Sequence, residues 1–116
     1  MIKRAMLSAA TLAATLLATG SAQARPSQSF GAFTLAVSQS DCVTRARSAY
    51  ASNGWSDIAG GDGWVKAHKG NYASYTVCNS SPGGGVMVNI FVAYDQPDPT
   101  GDLVQAERMA VQRMVQ

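Results

Sequence analysis

Histidine and cysteine are nearly missing from this chain: His68 stands alone, and Cys42 and Cys78 are the only thiols. A zinc site wants more ligands than two Cys and one His, and no Cys-x-x-Cys pair marks a redox centre. Charge is scarce as well, at 14% of residues. No block of Lys and Arg offers the counterion-releasing surface that nucleic acid requires, or a polybasic segment for anionic lipid. The apolar stretch Ala5 to Thr19 is diluted by Thr and Ser and falls short of the roughly 20 residues that span a bilayer. A Gly-x-Ser-x-Gly nucleophile motif and an Asp-x-Asp-x-Asp-Gly calcium loop are absent. Gly83-Gly84-Gly85 leads into a strand-like run rather than a helix N-terminus, so it is no phosphate cradle. No metal and no cofactor is expected.

What is present at the N-terminus is an address. Lys3 and Arg4 precede the uncharged run from Ala5 to Thr19, and Ala22-Gln23-Ala24 supplies the small-x-small pattern of a signal-peptidase site. Residues 1–24 are expected to be a cleaved signal, which places the mature chain, Arg25 to Gln116, in the periplasm or outside the cell. No Cys follows the cut, so no lipid anchor and no stable membrane attachment is expected after cleavage. Lys3 and Arg4 leave with the signal, so seven of the nine basic residues remain against seven acidic ones, and the mature net charge is zero. Export also permits a disulfide, and Cys42–Cys78 is the simple pairing. Closing that loop stabilises a small fold by about 4 kcal/mol in the chain-entropy model.

The mature residues suit one small domain, 30–116, behind a flexible leader, 25–29. Phe30 to Val37 alternates as a strand, with Phe33, Leu35 and Val37 on one side. Ser38-Gln39-Ser40-Asp41 resembles a capping box for a helix from about Asp41 to Asn53, whose Cys42, Val43, Ala46, Ala49 and Tyr50 form an apolar stripe. Gly54 follows as its left-handed stop. Trp55 to Ala59 reads either as a short strand or as an irregular crossing, and Gly60 to Gly63 reads as a turn. Trp64 to Lys69 and Tyr72 to Cys78 are strands joined by Gly70-Asn71, a Gly-first pair suited to a type II′ hairpin. Val86 to Tyr94 is the clearest strand, and Asp95 to Gly101 is a Pro-containing loop. Asp102 is expected to cap a last helix with Leu103, Ala106, Ala110 and Met114 on one stripe and Val104, Met109 and Val111 beside it. The order β-α-β-β-β-α, with short connections, predicts a two-layer α+β domain: an antiparallel sheet of about four strands with both helices on one face. Its helix-strand-strand-strand-helix part shares only element order with double-stranded RNA-binding domains, and neither the neutral mature charge nor export suits that function.

The hairpin carries the functional reading. A two-residue turn at Gly70-Asn71 pairs Lys69 with Tyr72, His68 with Ala73, Lys66 with Tyr75 and Trp64 with Val77. Cys78 must face the helix that holds Cys42, so the opposite, open face receives Trp64, Lys66, His68, Tyr75 and Val77. Met87, Asn89 and Phe91 join them from the last strand. The candidate binding residues are therefore Trp64, Lys66, His68, Tyr75, Met87 and Phe91. Apolar side chains ringed by polar ones are what interfaces use. A covering loop or leader is the alternative, and a bulge in the hairpin would exchange the two faces. The leading expectation is a non-catalytic binding domain for a protein partner or its own dimer. Two other readings stand beside it: an envelope-glycan or small-ligand site built from Trp55, Trp64, Tyr72 and Tyr75, and a small hydrolase using His68.

Overall fold

The computed structural model describes residues 27–116, so the expected signal and the first two leader residues lie outside the described residues. The described chain runs β1 (Ser27–Leu35), α1 (Gln39–Ser52), β2 (Ser56–Gly61), β3 (Trp64–Lys69), β4 (Tyr72–Ser80), β5 (Val86–Tyr94) and α2 (Asp102–Val115). The strands form one antiparallel sheet in the order β1-β5-β4-β3-β2. Both helices pack on the same side of it, α1 over β2 to β4 and α2 over β1 and β5, and they touch each other. This is the two-layer α+β arrangement, with five strands because the segment after Trp55 is a true strand.

Alternation along the strands builds the core. Val65 and Ala67 of β3, Ser74, Thr76 and Cys78 of β4, and Val86, Val88, Ile90 and Val92 of β5 are buried beneath the helices. From α1 come Cys42, Ala46, Ala49 and Tyr50, which is the stripe the sequence indicates. The Cys42–Cys78 disulfide ties the first turn of α1 to β4 across a Cα separation of 6.2 Å. Ser38 is the N-cap of α1, its hydroxyl accepting from the Asp41 amide at 3.1 Å, and Gly54 takes a left-handed φ of 79° just past the C-terminus.

One buried polar cluster sits among these apolar residues. The Tyr50 hydroxyl lies 2.7 Å from both Ser74 Oγ and Thr76 Oγ1, and Ser74 Oγ also lies 2.9 Å from the Phe91 carbonyl, to which it donates. Burial pushes the Tyr50 hydroxyl above its ordinary pKa, and its two hydroxyl partners offset only part of that shift. Next to Tyr50 lies the Trp55 ring, edge-on at a centroid distance of 5.4 Å. Its buried Nε1 has no hydrogen-bond partner among the described residues.

Several local expectations change. Ser27 to Ser29, expected in the leader, belong to β1, and Ser29 Oγ accepts from Arg108 Nε at 2.8 Å. Gly60 and Gly61 belong to β2, pairing with Val65 and Trp64, so the turn shrinks to Asp62-Gly63. Asp102 does not cap α2. Gly101 holds the N-cap position, and Asp98 reaches forward from the loop to accept from the Val104 amide at 3.1 Å and the Leu103 amide at 3.5 Å. Asp98, in the Pro-containing loop, thus has a structural role. The buried stripe of α2 is Val104, Val111 and Val115, whereas Leu103, Met109 and Met114 are exposed. Both stripes have helical spacing, and contact with β1 and β5 selects between them.

Candidate functional site

The sheet face away from the helices is the candidate site, and backbone pairing determines its layout. In the β3–β4 hairpin Lys69 pairs with Tyr72, His68 with Ala73, Lys66 with Tyr75 and Trp64 with Val77, the register expected from Gly70-Asn71. Gly70 has φ 57°, and Asn71 is not in the left-handed region, the sign pattern of a type II′ turn. No bulge intervenes between β3 and β4, so the faces are not exchanged. Trp64, Lys66, His68, Tyr75, Met87 and Phe91 therefore all share the open face.

Pairing then lines these residues into rows across the strands. One row runs Phe30, Phe91, Tyr75, Lys66, Ala59, from β1 to β2. The next runs Ala32, Asn89, Val77, Trp64, Gly61, and the Trp64 ring stacks on Tyr75 at 5.8 Å with 10° between planes. Phe30 is 60% exposed, Tyr75 41%, Met87 40% and Phe91 37%. Large apolar side chains left this wet over three adjacent strands form a patch, not isolated surface residues. Phe30 was missed in the sequence because it lies at the edge of the expected leader. The parity of Phe33 and Leu35 puts it on this face, but its place beside Phe91 depends on the β1–β5 pairing.

On the other side of the Tyr75–Phe91 ridge the row is small. Ala73 pairs with Ala93 and with His68, leaving an open depression of about 220 Å³ lined chiefly by Lys66, His68, Ala73, Tyr75, Phe91 and Ala93. A second depression of about 230 Å³ shares His68, Ala73 and Ala93 and continues toward the hairpin tip and Asp95. The single ion pair among the described residues is Lys69–Glu107, at 3.1 Å, so Lys66 faces solvent without a carboxylate partner. The His68 side chain has no hydrogen-bond partner among the described residues, and its carbonyl accepts from Ser56 Oγ at 3.3 Å. No described residue orients it by a hydrogen bond as a base toward a nucleophile. Among the described residues no three His, Cys, Asp or Glu side chains gather as metal ligands.

The four-aromatic glycan site is not assembled. Trp64 and Tyr75 are on the open face, but Trp55 is buried against Tyr50, and Tyr72 lies under the helices stacked on Tyr94 at 4.3 Å. Desolvation raises the Tyr72 pKa, and Tyr94, Glu107 and Asp98 nearby raise it further. The parity that carries Cys78 inward carries Tyr72 inward too, six residues earlier on the same strand.

No protein-family model matches the chain, and no curated protein matches it in sequence. Among solved structures it is similar to the crystal structure of Ara h 8.0201, with a TM-score of 0.47 and 10% identity, over 78% of this chain and 95% of the other. A likeness at that level carries no argument about ligand or activity.

Proposed function

We propose that the protein is an exported, non-catalytic binding domain whose open sheet face receives a protein partner. The observation that carries this reading is the exposed apolar patch of Phe30, Phe91, Tyr75 and Met87, spread over three neighbouring strands on the face both helices leave bare. A patch of this kind on a small domain is stable in water only at a cost, and burial against a partner removes it. Export is supported by the N-terminal pattern and by the Cys42–Cys78 bridge, which suits an oxidising compartment. Among the described residues no helix is long and apolar enough to cross a membrane.

The test is a crosslinking and sedimentation comparison between the parent and a Phe30→Ser/Phe91→Ser variant. Both residues lie outside the core, so the variant should retain its disulfide and its melting temperature within a few degrees. Envelope-protein crosslinks and any self-association should be lost together. If they persist unchanged in a folded variant, the face is not the binding surface. The Trp64–Tyr75 stack keeps a small-ligand reading in view, now reduced to two aromatics and the adjoining depression.

A further inference from the structure

The distribution of acidic residues makes the open face one-sided in charge. All seven carboxylates belong to helices, turns, the β5–α2 loop or the edge strand: Asp41, Asp57, Asp62, Asp95, Asp98, Asp102 and Glu107. Strands β1, β3, β4 and β5 contain none, and Asp57 sits at the irregularity of β2 between Ser56 and Ala59. Lys66, by contrast, stands on the face one strand in from the β2 edge, paired in register with Tyr75 and flanked by His68 two residues on. It is exposed and has no ion-pair partner. Beside it lies the Ala73–Ala93 depression, about 220 Å³ in volume, enough for one large side chain and walled by Tyr75 and Phe91.

Resting on the proposed function above, we infer that the partner presents an acidic segment, with one apolar side chain in the Ala73–Ala93 depression and a neighbouring carboxylate on Lys66. Charge complementarity selects this occupant. A second copy docking face to face brings no carboxylate from the four strands that carry the ridge and the depression; Asp95, just past β5, and Asp57, on edge strand β2, are at the margin of the face. A free small molecule filling the depression leaves Phe30 and Met87 in water, outside the residues that line it. A protein segment reaches the ridge and the depression together. It also places its carboxylate on the Lys66 ammonium, which has no ion-pair partner among the described residues.

A displayed library of short random peptides, selected on the oxidised exported protein, tests this. Recovered peptides should be acidic, with Asp or Glu beside a Phe, Trp, Leu or Met. A recovered peptide should bind about three- to fivefold more weakly to Lys66→Gln at low salt, and that difference should shrink at high salt. Selection on Lys66→Glu should turn the preference toward Lys and Arg peptides. Peptides that need Phe91 but keep the same charge preference on Lys66→Glu would overturn the acidic partner while leaving the face in place. Peptides indifferent to Phe91→Ser overturn both readings. Concentration-dependent dimerisation abolished by Phe91→Ser would assign the face to a second copy and overturn the inference. Lys66 is exposed, so loss of binding through misfolding is checked by the melting curve of the Gln variant.

Discussion

Tyr50 shows what one side chain does in a core this small. Its ring packs beneath α1 and beside Trp55, while its hydroxyl meets Ser74 and Thr76, two polar residues that parity forces onto the buried face of β4. Without that hydroxyl the two strand hydroxyls lose a partner, although Ser74 keeps its bond to the Phe91 carbonyl. Tyr50→Phe should therefore lower stability by about 1–3 kcal/mol, read from denaturant unfolding. The same group makes stability depend on alkaline pH. Its folded-state pKa lies above the ordinary tyrosine value, so its contribution is complete below about pH 10 and is lost as pH rises through the folded value. Tyr72 shifts in the same direction, by desolvation first. Stability should decline above about pH 10, and Tyr50→Phe should decline less steeply than the parent. Equal slopes would mean that Tyr50 ionises as freely in the folded protein as in the unfolded chain.

At the scale of elements, a helix end depends on a residue outside the helix. Asp98 accepts from two amides of the first turn of α2, and its own carbonyl receives the Ser27 hydroxyl at 3.1 Å, so one loop residue joins α2 to the start of β1. Asp98→Ala should lower stability by about 1–2 kcal/mol, and Asp102→Ala by a few tenths, since Asp102 acts only through the helix dipole. Thermal melts of the two variants would reveal a reversed ranking if Asp102 were the cap. This residue also marks where the sequence stops being legible. The capping signal ahead of α1 is local, a Ser three residues before its amide partner, and it can be read directly. The signal ahead of α2 spans a loop containing Pro99, and only the folded loop shows which Asp turns back. Strand parity behaves in the same way. The Gly70-Asn71 turn and the Cys42–Cys78 pairing orient β3 and β4 from sequence alone, which is enough to collect Trp64, Lys66, His68 and Tyr75. Phe30 and the small floor of Ala73 and Ala93 depend on which strands neighbour β5, and alternation within a strand does not encode its neighbours. For α2, two apolar stripes of equal spacing left the choice to tertiary contact, and the burial of Val104, Val111 and Val115 resolves it.

For the whole molecule the disulfide joins the two layers. It links α1 to β4 over a separation of 36 residues, and its reduction should lower stability by about 2–4 kcal/mol. Chemical denaturation with and without reductant measures this directly. A change under 1 kcal/mol would mean that helix and sheet hold each other without it. The open face should be insensitive to that comparison in the folded range, because none of its residues touches the bridge side of the sheet. The bridge also divides the chain under mechanical load. It encloses most of α1, all of β2 and β3, and most of β4, leaving β1, β5 and α2 outside the loop. A pull on the two ends would peel β1 from β5 and unwind α2, yet the enclosed stretch would stay shortened by roughly 120 Å of contour at about 3.4 Å per residue. A domain of this build held between two attachments would thus yield in its outer strands and last helix first, and keep the β3–β4 half of its open face behind a covalent clasp.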